Sequence, residues 1–98
     1  MADLRFSWDE RKAASNKEKH GVSFDEATGV FFDERALLLE DDDPQKPEER
    51  FLLLGLSASL RVLVVCHCET EDGQEIRIIS ARRANRAEQK QYWDRVSK

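Results

Sequence analysis

Asp72-Gly73 stands between two β-prone runs and constrains this chain more than any other dipeptide in it. Asp-Gly favours the tight turn that joins antiparallel strands with a matching twist. Residues 61–69 are rich in valine, and residues 76–81 are rich in isoleucine. The three features together predict a hairpin with those two runs as its arms. Strand side chains alternate, so Ile76, Ile78 and Ser80 are expected on one face and Arg77, Ile79 and Ala81 on the other. Just past the second arm, Arg82 and Arg83 stand side by side. Two guanidiniums presented from a strand end suit a phosphate, since each stays charged and binds two oxygens at once.

The remaining chain supplies the scaffold. Residues 4–8 alternate and read as a short strand. Asp9 is placed to cap a helix over residues 10–19. Gly21 ends that helix in the left-handed conformation, and Lys19 and His20 suit the negative end of its dipole. Lys12, Asn16, Lys19 and His20 share one polar side of it. The apolar side is thin, so its alanines must pack closely. Ser23 and Glu26 have the spacing of a capping box that opens a second helix over residues 24–32. Phe24, Ala27, Val30 and Phe31 give that helix an apolar stripe. Residues 36–40 and 50–57 read as strands that pair as a hairpin. Residues 41–49, with two prolines and repeated acids, form the loop between them. Residues 58–60 make the next turn. Asn85 and Glu88 form another capping box, for a helix that runs to about residue 96.

The predicted order is β-α-α-β-β-β-β-α. This is an α+β fold: a small antiparallel meander with two N-terminal helices and one C-terminal helix. Such a sheet usually keeps one face for helices and one partly open. At 98 residues, the whole of 1–98 is expected to be one domain. No apolar run is long enough for a membrane span and the N-terminus lacks a signal-peptide core, so the expected location is the cytoplasm. Two cysteines only two residues apart suit neither a disulfide framework nor a bridge. The net charge of −4 is unevenly spread. Residues 25–50 carry ten acidic and three basic groups, and residues 76–98 carry two acidic and seven basic ones. A basic end of this kind attracts an anion, and the acidic middle repels one or takes a basic partner.

Two stretches carry a family resemblance. The first is Phe6-Ser7-Trp8-Asp9-Glu10-Arg11-Lys12 with Asn16, Lys19-His20-Gly21-Val22-Ser23-Phe24 and Glu26-Ala27. The second is Arg61-Val62-Leu63-Val64-Val65, then Gly73, then Ile76-Arg77-Ile78-Ile79-Ser80-Ala81-Arg82-Arg83-Ala84 and Glu88. Together they resemble the BrnT family of type II toxins across almost the whole chain. The resemblance implies a fold like that of the RelE/ParE toxins. It implies a ribonuclease that cuts RNA, blocks translation and arrests growth. It implies a BrnA-like antitoxin with a ribbon-helix-helix part, through which alone the toxin would meet DNA. The chain departs from many small toxins of that superfamily in being acidic overall.

RNA cleavage without a metal or other cofactor needs a base for the 2′-hydroxyl, cations for the phosphate oxygens and an acid for the departing 5′-oxygen. Arg77, Arg82 and Arg83 are the first candidates for the cations, with Arg61 and Lys12 next. An unperturbed imidazole changes charge near neutral pH, so a histidine at position 20 suits either proton role, and Glu10 is a further candidate base. Lys19, Asn16 and His67 complete the expected RNA contacts. His67 is expected on the open face of the sheet near Arg61 or Arg77. Each residue also has a plainer role open to it: a helix cap for His20, solvated charge for the lysines, a cross-strand ion pair for Arg77. Trp8, Tyr92 and Trp93 read as core or interface residues. Cys66-His67-Cys68 does not read as a metal site, because alternation separates the histidine from the cysteines. Three readings of the whole chain stand at this point: a ribonuclease toxin, a non-catalytic interaction module and a toxin with a protein target.

Overall fold

The hairpin predicted around Asp72-Gly73 is the centre of the sheet. In the computed structural model, which describes residues 4–39, 50–70 and 72–97, β4 (Val62–Glu69) and β5 (Glu75–Arg83) pair antiparallel. Gly73 takes a φ of 70°, the left-handed conformation that the turn demands. β3 (Phe51–Leu56) adds to the other side of β4, and β2 (Leu37–Leu39) to β3, both antiparallel. The loop expected over residues 41–49 lies outside the described residues.

Two features of the sheet differ from the sequence expectation. β1 (Arg5–Ser7) lies at the far edge and pairs with β5 in parallel, so the sheet is mixed and runs β1-β5-β4-β3-β2. Helices also sit on both faces, where one face was expected to carry them. α1 (Glu10–His20), α2 (Phe24–Thr28) and a 3-10 turn (Gly29–Phe32) pack on the first face. Val22, Phe24, Ala27 and Val30 meet Leu63, Val65, Ile76, Ile78 and Ala81 there. α3 (Arg86–Val96) covers part of the second face, where Tyr92 meets Leu54, Val62 and Val64. Residues 24–32, expected to form one second helix, thus split into an α-helical and a 3-10 piece.

β5 carries an irregularity that moves the site. Its register against β4 shifts between Cys66 and His67: Cys66 opposes Ser80 but His67 opposes Ile78. Ile79 is the extra residue, and a bulge of this kind interrupts alternation. Ala81 therefore joins Ile76 and Ile78 in the first core, and Ser80 faces the other way. The expected grouping of Ser80 with Ile76 and Ile78 is corrected accordingly. β5 is also longer than expected, so Arg82 and Arg83 lie within the strand rather than past it.

The helix ends follow their sequence signals. Asp9 Oδ1 accepts from the backbone of Arg11 and Lys12 at 2.8 and 3.2 Å. Gly21 closes α1 at a φ of 69°. Asn85 and Glu88 form a complete capping box.

Candidate functional site

Glu26 organises the end of the sheet where α1 finishes and α2 begins. Ser23 Oγ accepts from Glu26 N at 3.0 Å, which is the first half of the expected capping box. The second half is missing. The Glu26 carboxylate turns instead to Arg61, just before β4, which donates from Nε to Oε2 at 2.9 Å and from Nη2 to Oε1. Ser57 Oγ donates to the same Oε2 at 2.8 Å. Arg61 Nη2 also donates to the Gly21 carbonyl at 3.1 Å, which ties the C-terminal end of α1 to this cluster. The Arg61 hydrogen bonds hold the Glu26 carboxyl below the usual carboxylate range, against the opposing effect of burial. The charge of Arg83 pushes it the same way, so Arg83 stands close enough to act on Glu26.

The paired arginines do different things. Arg82 opposes Val64 and Arg83 opposes Leu63, and those two residues belong to opposite faces of the sheet. Arg82 forks onto Glu88 of α3, from Nη1 to Oε1 at 2.7 Å and from Nη2 to Oε2 at 2.9 Å. Glu88 Oε1 also accepts from Asn85 N at 2.8 Å. Arg83 is exposed, and its side chain makes no hydrogen bond to a described residue. It lines a cleft of about 270 Å³ with Arg61, Leu60, Val62, Gln89 and Trp93. The two guanidiniums thus do not form one phosphate site.

Other candidates are dispersed. Arg77 is exposed and opposes Cys68, six residues before Arg83, about 20 Å along the strand. It does not join Arg61 and Arg83. Lys12 is exposed in the first turn of α1, about 12 Å along the helix from His20. Lys19 and His20 are exposed in the last turn, next to the Gly21 carbonyl that Arg61 holds.

Two expected RNA contacts are corrected. Asn16 is only 6% exposed, and its amide is spent on the backbone of Val22 and Ala81, so it is not part of a polar outer face. His67 is 1% exposed and lies between Phe31 and Phe51, at ring-centroid distances of 4.8 and 5.7 Å. It faces the helices rather than an open sheet. Cys66 and Cys68 alternate to the face opposite His67, so the three side chains do not converge.

Two contributors escaped the sequence reading. Glu26 was legible only as a capping residue, because its acceptor role depends on a residue 35 positions away. Trp93 is 45% exposed while Tyr92 is buried with its hydroxyl 2.6 Å from Asp33 Oδ2. Adjacent helical residues cannot both face the core, and Gln89 lies four before Trp93 on the same side. That spacing was the available signal.

A family model for the ribonuclease toxin BrnT of type II toxin-antitoxin systems matches residues 8–88. The chain belongs to the BrnT ribonuclease toxin family. The match takes in Glu26, Arg61, Arg82, Arg83 and His20 and ends before Trp93. The chain is also similar to the crystal structure of the Brucella abortus ribonuclease toxin BrnT, at a TM-score of 0.63 and 24% identity. That likeness covers 85% of this chain and 99% of the other, and at this identity it shows a shared fold. No curated protein matches. Among the described residues, no helix is long and apolar enough to cross a membrane. Membership of the BrnT family makes this chain a toxin of a type II toxin-antitoxin system, with RNA as the substrate and an antitoxin as the partner.

Proposed function

We propose that the cleft at the Arg61–Arg83 end of the sheet is the ribonuclease site and that it works by acid-base chemistry with no metal. The observation that carries this reading is the contrast between two arginines. Arg61 is fixed by Glu26 and Gly21, and Arg83 stands beside that fixed pair with its donors unspent on any described residue. Fixed cations cost no reorganisation when charge builds on a phosphate. Arg83 holds the non-bridging oxygens, and Arg61 adds its remaining Nη1 donors. His20, adjoining the Gly21 carbonyl, serves in proton transfer. The 2′-hydroxyl loses its proton to the base, and its oxygen attacks phosphorus. The bond to the 5′-oxygen breaks as that oxygen takes a proton, leaving a 2′,3′-cyclic phosphate. Glu26 acts through Arg61 as a positioning residue. Lys19 adds a cation to the approach.

In this reading one domain over 1–98, of the RelE/ParE-like class, acts in the cytoplasm. It stops translation and growth until a BrnA-like ribbon-helix-helix antitoxin neutralises it.

The test compares Arg83→Ala with Arg82→Ala in induced growth arrest, cleavage of cellular RNA and thermal melting. Arg83→Ala should abolish arrest and cleavage while melting with the parent, since it removes an exposed side chain. Arg82→Ala should lower stability by about 1 kcal/mol, because solvent screens part of the Glu88 pair, and still cut RNA when folded. Full activity in Arg83→Ala, or a parent that neither arrests growth nor cuts RNA, overturns the proposal.

A further inference from the structure

We infer that Trp93, with Leu60 beside it, is a stacking platform for the nucleotide next to the scissile phosphate. The inference rests on the ribonuclease reading of the same cleft and adds the residue that grips a base. Trp93 is 45% exposed and Leu60 is 77% exposed, and both line the cleft that Arg61 and Arg83 also line. A large indole left at a cleft wall is not explained by the core. The second hydrophobic cluster is filled by Tyr92, which buries its ring and spends its hydroxyl on Asp33. Trp93 touches Tyr92 edge-on at a centroid distance of 5.1 Å, which fixes one edge of the indole.

The second observation is the charge beside the ring. A nucleotide is an anion joined to a flat π-surface by about one sugar's length, and the cleft offers cations and a flat apolar surface within about 270 Å³. Single-stranded RNA is held in this way, with bases on aromatic side chains and phosphates on arginines. Every base has a π-face, so stacking here adds affinity without much choice of sequence. Leu60 holds a φ of 63° at the turn beside Arg61, and its side chain is exposed rather than in the core. Gln89 is tied through Nε2 to the Ala84 carbonyl at 3.1 Å, and its Oε1 makes no hydrogen bond to a described residue. That oxygen is placed to accept from an exocyclic amine of the stacked base. Trp93 lies beyond residues 8–88, so the family match does not imply its role.

The test uses a non-cleavable 2′-O-methyl RNA oligonucleotide and the full chain carrying Trp8→Phe, so that Trp93 is the one fluorescent indole. Binding should quench its emission, and the same oligonucleotide with abasic positions should bind without quenching. Trp93→Ala should bind RNA on the order of tenfold more weakly, with Trp93→Phe close to the parent. Melting curves establish that each variant is folded. If Trp93→Ala binds and cuts like the parent, the platform is overturned and the arginine site stands. That outcome gives the Trp93–Leu60 patch to a protein partner. If the parent neither binds the oligonucleotide nor cuts RNA, the ribonuclease reading falls and takes the platform with it.

Discussion

Asn16 pairs with Ala81 as one strand residue pairs with another. Its Oδ1 accepts from Ala81 N at 3.1 Å and its Nδ2 donates to Ala81 O at 2.8 Å. The same Nδ2 group donates to the Val22 carbonyl at 3.0 Å. β1 covers β5 only from Glu75 to Arg77, so the backbone of β5 beyond that point needs another partner. A side-chain amide supplies both a donor and an acceptor and continues the ladder from within a helix. α1 buries little apolar surface, and this contact does much to fix it on the sheet.

Asn16→Ala should therefore destabilise the fold by about 3 kcal/mol, since it leaves buried backbone groups of Ala81 and Val22 without partners. Asn16→Asp keeps the acceptor but sets a carboxylate against two carbonyl oxygens, and it should lose at least as much. Urea unfolding checks both, with the denaturant slope unchanged if the unfolded state is the same.

His67 should make the fold sensitive to mild acid. Burial pushes its imidazole below the ordinary 6.5, and the partial pull of Glu69 at 3.8 Å does not reverse this because Glu69 is exposed. The folded chain holds a neutral ring, and the unfolded chain gains a proton below about pH 6.5. Stability is thus complete above that pH and falls as the pH drops from there toward the lowered folded value. His67→Leu should flatten the decline between pH 6.5 and the onset of carboxylate titration, measured as melting temperature against pH.

Tyr92 should do the opposite at high pH. Its phenol is pushed up to about 12, by burial first and then by the carboxylate of Asp33 that accepts its proton bond. The unfolded chain ionises at about pH 10, so stability is complete below that and is lost between about pH 10 and 12. Tyr92→Phe should remove this alkaline decline and cost about 1 kcal/mol at neutral pH. Asp33 still accepts from Leu56 N at 2.8 Å and Arg35 N at 3.0 Å, so the loss stays small. Melting curves at pH 8, 10 and 11 separate the two variants.

The elements and their caps were legible because their signals are local. Asp9, Ser23, Asn85 and the Asp-Gly turn each act within a few residues. Features that depend on other elements were not legible. Asn16 looked like part of a polar helix face because its partner is 65 residues away. His67 looked available because a valine-rich strand does not say which of its faces a helix will cover. Nothing in residues 4–8 says that the strand will lie parallel to β5 at an edge. Glu26 and Glu88 each had an obvious local duty as a cap, which hid their longer reach to Arg61 and Arg82.

The extra residue at Ile79 has an effect four positions downstream. A strand assigns its side chains by parity, odd to one side and even to the other, and a single added residue inverts the count for all that follow. With the count uninverted, Arg82 would lie beside Glu26, Arg83 would reach toward Glu88, and Ala81 would leave the core. Two chemically identical neighbours thus take unlike duties, one a strut and one a hand, through a spacing that neither of them contains. An arginine pair in a relative can be assigned these duties only after the bulge has been located.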